Sequence, residues 1–200
     1  MLNEKIYVID DIIGVDSQKD IIKLLIKDYE LDGKHQFPWY YLDDITLSED
    51  DPKNQRRPGF MHQYVTYYGK EKSTGKQVSR FHDVFVPMLQ VACLKLNIMN
   101  VNVLQGRSFL QLPLNLKNRD VDTPHIDIHD RDNFFVVLYY VCDSDGDTII
   151  YNETKESDQY TIKQRVTPKQ GRVVIFDGAF YHTAEQPQKD VRLIINYNVI

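Results

Sequence analysis

The sequence is short of the residues that mark several large classes of protein. It has only two cysteines, Cys93 and Cys142, which stand in apolar surroundings without the CxxC spacing of zinc sites. We therefore expect buried, reduced thiols rather than a disulfide framework. Basic residues are in the minority, since 24 lysines and arginines face 29 acids and the formal net charge is −5. This balance argues against nucleic acid as a partner, because basic surfaces bind a phosphate backbone.

Long hydrophobic runs are also missing. The longest uncharged apolar run is "FFVVLYYVC", residues 134–142, about half of the ~20 residues that a membrane-spanning helix needs. The amino terminus, "MLNEKIYVIDD", has acids where a secretory signal carries basic residues and a long apolar stretch. The sequence therefore predicts a cytoplasmic protein that has no membrane as partner.

The length and composition predict one domain over residues 1–200. A chain of 200 residues with 42% apolar types can bury one substantial core but has little room for a second complete domain. We expect residues 1–100 to form helical and loop-rich support, and residues 101–200 to form a β-rich core.

Two helices are predicted in the first half. Ser17, followed by Asp20, precedes "IIKLLIKDYELDG", which predicts a helix capped by Ser17 and ended at Gly33. The segment "FHDVFVPMLQVACLKLNI", residues 81–98, spaces apolar residues along one helical stripe, which we expect to pack on a sheet. The stripe consists of Phe85, Met88, Leu89, Ala92 and Leu96. Between the helices, "MHQYVTYY" predicts a strand.

The second half consists of short β-rich runs separated by turn residues such as "DSDGD", "TPKQG" and "DGAF". Strands at this spacing are typical of a sandwich or barrel, because each must bury at least one face against another sheet. The runs are "VNVL", "SFLQLPLN", "FFVVLYYVC", "DTIIYNE", "YTIKQRVTP", "GRVVIFDG" and "VRLIINYNVI". The predicted fold class is mainly β with flanking helices.

The stretch "TPHIDIHD", residues 123–130, contains a potential metal chelate. In an extended strand His125 and Asp127 point to the same face, so one imidazole and one carboxylate can reach one ion. His182 is the best candidate for a second imidazole, and two histidines with one carboxylate suit a non-haem ferrous centre. Read alone, the first pair also fits a polar strand end or turn, and His182 fits an exposed loop.

His129 lies four residues beyond His125, about 13 Å along a regular strand, which is too far for both to bind one ion. We expect it near the ligands or on the substrate side. Arg192, ten residues after His182, is either a strand-edge residue paired with Asp190 or a forked donor that grips a carboxylate by two bonds. Tyr140 can add a hydroxyl to that grip.

The strand that starts at Arg192 directs Asn196 and Asn198 to the same side by alternation. They either order water or substrate near the metal or lie on a solvated strand face. Both alternatives fit the sequence equally well.

Taken together, these features resemble the iron- and 2-oxoglutarate-dependent dioxygenases, and within them the prolyl 4-hydroxylase group. The matching parts lie in residues 101–200, and their order and spacing make the resemblance specific. They are "PHID", "VVLYYV" followed by "DGDTIIY", "VTPKQGRVVIFDG", "YHTAEQ" and "KDVRLIINYNV". The resemblance implies a double-stranded β-helix, or jelly roll, with His125, Asp127 and His182 as iron ligands. It also implies that Arg192, assisted by Tyr140, binds the distal carboxylate of the cosubstrate.

The chain departs from the family pattern in two places. Family members often have paired glycines where this chain has Asp145 and Gly146, and a tyrosine on the strand before the first ligands, where this chain has "LQLPLN". The second departure leaves one cosubstrate contact to be supplied by an amide donor, for which Gln111 and Asn115 are the candidates.

The implied reaction uses Fe(II), 2-oxoglutarate and O2, with ascorbate as a candidate reductant. A prolyl residue in a peptide or protein is the first expected substrate. The alternatives are a free amino acid or small metabolite as substrate, and a non-enzymatic metal-binding jelly-roll module.

Overall fold

The computed structural model describes residues 3–27, 37–45, 56–114 and 121–200. The helices are α1 (Val15–Ile22), continued by a π-helical segment (Lys23–Lys27), and α2 (His82–Leu94). The strands in chain order are β1 (Tyr7–Ile9), β2 (Tyr40–Leu42), β3 (Gly59–Thr66), β4 (Lys76–Gln77), β5 (Val103–Gln111), β6 (Phe135–Tyr140), β7 (Thr148–Tyr151), β8 (Ile162–Val166), β9 (Val173–Asp177), β10 (His182–Ala184) and β11 (Arg192–Val199).

The described strands form two antiparallel sheets. The larger has eight strands in the order β1-β9-β6-β11-β5-β3-β2, with β4 paired to β3, and the smaller has the order β10-β7-β8. Strands distant in sequence are neighbours in space, since β11 lies between β5 and β6. The predicted mainly β jelly roll with flanking helices is confirmed.

The larger sheet buries both of its faces, as alternation along β6 illustrates. Val137 and Tyr139 belong to a cluster that also contains the apolar side chains of α1 and α2. Val136, Leu138 and Tyr140 belong to a second cluster, which includes side chains of the smaller sheet. The helices therefore cover the outer face of the larger sheet. Its inner face is turned toward the smaller sheet, and the inward side chains of β5 and β11 lie there.

Helix α2 buries the side chains that its sequence stripe predicts. Phe85, Met88, Leu89 and Ala92 are buried, and Leu96, just beyond the helix, is partly buried against the same cluster. This apolar face supplies most of the stabilisation of a short helix in a protein.

Helix α1 begins earlier than the sequence predicts. It starts at Val15, and Gly14 is the N-cap residue, without a side-chain hydrogen bond. Ser17 lies inside the helix, so its assignment as the cap was wrong. The N–H of Gln18 already donates to the carbonyl of Gly14 at 3.0 Å, so the helical hydrogen bonds begin before Ser17. The predicted end at Gly33 lies outside the described residues.

Strand β5 runs unbroken through Gly106, where the sequence predicts two separate runs. A side chain at position 106 would clash with the ring of Tyr197 on β11. Glycine therefore serves the close packing of an aromatic ring here and does not end the strand. Residues 1–100 also contribute β1 to β4 to the larger sheet, of which only β3 is predicted from the sequence.

Both cysteines are free; Cys93 is buried as predicted, whereas Cys142 is only partly buried. Burial raises the pKa of the Cys93 thiol to about 11, so this thiol is protonated near neutral pH. Among the described residues, no helix combines the length and the apolar character that crossing a bilayer requires.

Candidate active site

A cavity of about 420 Å³ opens on the inner face of the larger sheet. His125, Asp127 and His182 line one part of it, and Arg192 and Thr148 line another. Apolar side chains such as Leu138, Ile194 and Phe109 separate the polar groups. A mostly apolar pocket with a few convergent polar groups is the usual form of a small-molecule site.

His125, Asp127 and His182 can together hold a metal ion. Each offers one ligand atom, and these atoms lie within 4.8 Å of one another. Nε2 of His125 lies 3.9 Å from Oδ1 of Asp127, and Nε2 of His182 lies 4.0 Å from Oδ2. Among the described residues, this is the only such group of histidine, cysteine and acidic side chains.

A backbone bridge brings the two histidines together. The N–H of His125 donates to the carbonyl of His182 at 3.0 Å, and the N–H of His182 donates to the carbonyl of His125 at 2.9 Å. Paired residues on antiparallel strands place their side chains on the same face, and the two ring centroids are 4.6 Å apart. This pairing joins positions 57 residues apart in the sequence (182 minus 125).

Both rings present the same nitrogen to the cavity. Nδ1 of His125 is 3.1 Å from the carbonyl oxygen of Thr123, and Nδ1 of His182 is 3.2 Å from that of Phe180. A carbonyl oxygen only accepts, so each Nδ1 carries the proton and each Nε2 keeps its lone pair. Backbone carbonyls commonly orient metal-binding histidines in this way.

Burial, together with the neighbouring His125, lowers the pKa of His182 to about 4. The ring is therefore neutral near pH 7, the state that a metal ligand requires. Burial by itself would raise the pKa of Asp127, but Arg107 and the two histidines outweigh burial and hold it below its ordinary value. Asp127 is consequently a carboxylate.

Three donors fix the carboxylate of Asp127. Nη2 of Arg107 donates to Oδ1 at 2.9 Å. Nδ2 of Asn196 and Nδ2 of Asn198 donate to Oδ2 at 3.0 and 2.8 Å. The two asparagines, for which the sequence left two alternatives, therefore contact a potential metal ligand and do not lie on a solvated face.

Arg192 is buried in another part of the cavity, 3% exposed. Its Nε donates to the carbonyl of Gly146 at 3.0 Å, Nη1 to Oε1 of Gln111 at 2.9 Å, and Nη2 to Oγ1 of Thr148 at 2.7 Å. These acceptors are neutral and use three of the five N–H groups of the guanidinium. The other two can donate to an anionic ligand.

Tyr140 reaches Arg192 through Thr148. The Tyr140 hydroxyl donates to Oγ1 of Thr148 at 2.7 Å, and the guanidinium lies 5.9 Å from the centre of the Tyr140 ring.

Gly146 must lack a side chain, because a Cβ there would lie 2.6 Å from the carbonyl oxygen of Glu185. One glycine of the "DGD" turn thus has a packing requirement, whereas Asp145 accepts backbone N–H bonds from residues 188–190.

A second buried arginine is linked to Arg192 through a chain of hydrogen bonds. Arg57 is 1% exposed and forms an ion pair with Asp122. Asp122 Oδ2 also accepts from Nε2 of Gln111 at 3.2 Å. Gln111 therefore connects the Arg57–Asp122 pair with Arg192 and sets the position of both.

We expect Asp122→Asn to lower the free energy of unfolding by about 2 kcal/mol, because it leaves the charge of Arg57 buried without a counter-ion. The amide keeps an oxygen that can accept from Arg57, which limits the loss. Urea denaturation measures the change. The matched control is Asp43→Asn, which breaks the exposed ion pair with Arg56 and should cost less than about 1 kcal/mol. Equal losses in the two variants would contradict a buried role for Asp122.

The structure brings most of the residues expected from the sequence into one cavity. His129 is exposed and lines the cavity, but it does not join the group that can hold a metal. Gln111 contacts Arg192, whereas Asn115 lies outside the described residues. Sequence reasoning missed Arg57, Arg107, Asp122 and Thr148. Alternation along β5 places Arg107 on the inner face with Gln111, and alternation along β7 places Thr148 there with Ile150. For Arg57 the sequence offers no such signal.

Comparison with known proteins finds likeness in structure. No protein-family model matches the chain, and no curated protein matches its sequence. A solved oxidoreductase of the 2OG-Fe(II) oxygenase family from Burkholderia pseudomallei is 11% identical, with a TM-score of 0.67 over 97% of this chain and 84% of that chain. A prolyl hydroxylase from Trichoplax adhaerens, in complex with a hypoxia inducible factor peptide fragment, is 12% identical, with a TM-score of 0.59 over 99% and 84% of the two chains.

A third solved structure is SnoN, a non-haem α-ketoglutarate-dependent epimerase from nogalamycin biosynthesis. It is 8% identical to this chain, with a TM-score of 0.61 over 98% of this chain and 78% of that one. These likenesses establish the fold that the chain shares with such enzymes. The jelly-roll fold implied by the resemblance to iron- and 2-oxoglutarate-dependent dioxygenases is therefore confirmed.

Proposed function

We propose that the chain is an Fe(II)- and 2-oxoglutarate-dependent dioxygenase that hydroxylates a carbon of its substrate. The observation that carries the proposal is the shared cavity. In it, His125, Asp127 and His182 offer ligand atoms within 4.8 Å of one another, and Arg192 is buried nearby. A jelly roll alone would not support this function, because the architecture hosts many unrelated activities.

The donor set fits ferrous iron. Two imidazoles and one carboxylate leave coordination positions open, which is typical of non-haem iron oxygenases. Bound iron would supply the oxygen chemistry that no amino-acid side chain can perform. The chain supplies the two Nε2 atoms, the Asp127 carboxylate held by its three donors, and a cavity in which apolar side chains such as Leu138 and Ile194 lie beside these groups.

Arg192 fits the distal carboxylate of 2-oxoglutarate. A buried guanidinium with two uncommitted N–H groups can grip a carboxylate by two parallel bonds. The plane of the guanidinium is fixed by Gln111 and Thr148, and through Thr148 by Tyr140. The side chain therefore loses little conformational entropy when a ligand binds. O2 is the other cosubstrate, and ascorbate is a candidate for keeping the iron reduced.

The family resemblance makes a prolyl residue in a peptide or protein the first candidate substrate. Support comes from the resemblance in residues 101–200 and from the Trichoplax neighbour, which binds a peptide. His129 is exposed and lines the cavity, which supports a role on the substrate side. A free amino acid or small metabolite is the alternative within the same reaction class.

The rival from another class is a non-enzymatic metal-binding jelly-roll module. It predicts metal binding without a specific site for 2-oxoglutarate. Arg192 favours the oxygenase, because its three hydrogen-bond acceptors are neutral and leave two N–H groups that a site for a metal alone does not require.

Anaerobic binding followed by turnover tests the proposed function. We expect 2-oxoglutarate to bind in the presence of Fe(II), and succinate to form when oxygen and substrate are added. Removal of iron with a chelator should abolish succinate formation, and re-addition of Fe(II) should restore it. Metal binding without any binding of 2-oxoglutarate would favour the non-enzymatic module.

A further inference from the structure

The side chain of Arg107 offers more hydrogen-bond donors than the protein uses. It lines the cavity beside Asp127 and is 15% exposed. One N–H of Nη2 donates to Asp127, while Nε is buried and has no acceptor. A charged donor buried without an acceptor is costly, and such a group often marks a place that a ligand completes.

Arg107 is not the only group that holds Asp127 in place. Asn196 and Asn198 already donate to Oδ2 of the same carboxylate. Once a divalent cation binds Asp127, Arg107 adds a further positive charge next to it. The free donors of Arg107 can then bind an anionic group of a substrate in the cavity.

An unused acceptor stands beside the unused donor. The Asp127 carboxylate only accepts, so the amide of Asn196 must turn Nδ2 toward it and Oδ1 away. Oδ1 of Asn196 is buried without a partner. Asn196 and Arg107 are paired across β11 and β5, so their side chains project from neighbouring positions of the same sheet face.

We propose that Arg107 and Asn196 form the recognition site for a free α-amino acid. Arg107 binds its carboxylate, and Oδ1 of Asn196 accepts from its ammonium group. This inference rests on the proposed function and deepens it, because it selects a free amino acid over a residue inside a peptide. An internal prolyl residue carries neither of the two charged groups.

Binding to the loaded protein tests this assignment without turnover. The probes are the standard L-amino acids, their primary amides, which lack the carboxylate, and their N-acetyl derivatives, which lack the ammonium group. They are titrated calorimetrically into protein that holds Mn(II) and 2-oxoglutarate under anaerobic conditions. We expect at least one free amino acid to bind about 10- to 100-fold more tightly than its amide, as befits a charge-assisted hydrogen bond.

The preference for acid over amide distinguishes recognition from a structural role. In Arg107→Gln, which can still donate to Asp127, the preference should fall to about threefold or less. If Arg107 only supports Asp127, both probes should weaken equally and their ratio should stay unchanged. Should Arg107→Gln fail to fold, Arg107→Lys is measured instead. Lysine keeps the charge but lacks the planar fork of arginine. The preference for the acid over the amide should then be smaller than in the wild type but larger than expected for a neutral side chain.

Three outcomes overturn the proposal: amides that bind as well as acids, a preference that survives in Arg107→Gln, and no binding by any free amino acid to the loaded protein. Each leaves the proposed function standing, since the protein would still hold the metal and 2-oxoglutarate. Failure to load Mn(II) and 2-oxoglutarate is a separate result that counts against the proposed function itself.

Discussion

His182→Ala should weaken the binding of Fe(II) roughly 1000-fold and abolish 2-oxoglutarate turnover. Mutation of groups that merely orient a metal ligand commonly costs 10- to 100-fold in affinity, so loss of one of three ligands should cost more. Nε2 of His182 keeps its lone pair because Nδ1 donates to the carbonyl of Phe180, and alanine offers nothing in its place. Anaerobic equilibrium dialysis with Fe(II) measures the affinity, and succinate formation measures the turnover.

Two further variants show whether weaker Fe(II) binding results from loss of a ligand or from loss of folding. The side chain of His125 is 49% exposed, so His125→Ala should leave the fold intact and still weaken Fe(II) binding. His129→Ala removes an exposed histidine of the same cavity that lies outside the group of three, and its Fe(II) affinity should match that of the unchanged protein. Wild-type affinity in both His125→Ala and His182→Ala would show that these residues do not hold the metal.

Arg192→Met should weaken the binding of 2-oxoglutarate to the Fe(II)-loaded protein by roughly 100- to 1000-fold. Removal of one partner of a buried, hydrogen-bonded charge pair costs about 2–5 kcal/mol. Methionine keeps much of the length of the side chain but none of its donors. Because Arg192 is not one of the three groups that can hold the metal, Fe(II) affinity without 2-oxoglutarate should change little. Calorimetric titration of 2-oxoglutarate and of Fe(II) measures the two affinities separately.

The matched control is Arg165→Met, on β8 of the smaller sheet. Arg165 contacts Asp147 and Glu185 and is 40% exposed, so its loss should leave 2-oxoglutarate binding nearly unchanged. Arg192→Lys provides an intermediate step, because it keeps the charge and loses the planar fork. A normal affinity for 2-oxoglutarate in Arg192→Met would remove the role assigned to Arg192 and would favour a module that binds only metal.

Local pattern predicts the longer strands and the second helix, but it misses the short strands β1, β2, β4 and β10 and is weaker on where elements begin and end. Helix α2 follows its apolar stripe because burial of that stripe stabilises it. The start of α1 is missed because Gly14 occupies the N-cap position without any side-chain hydrogen bond, so no capping side chain marks it in the sequence. The break predicted near Gly106 is absent because the ring of Tyr197, distant in the chain, occupies the space beside it.

The amino-acid sequence by itself determined that Arg192 enters a buried strand and that the second half folds as β-structure. It also singled out His125 and Asp127 as a pair, although the structure places them on an isolated bridge and the bend after it and not on a regular strand. These predictions are consequences of period-two alternation and of apolar runs, which act between near neighbours. Only the tertiary structure decided that His182 pairs with His125, that Asn196 and Asn198 hold Asp127, and that Arg57 and Asp122 lie behind Arg192. Such contacts depend on the register between distant strands, and register is set by the packing of the whole sandwich, which no short stretch of sequence contains.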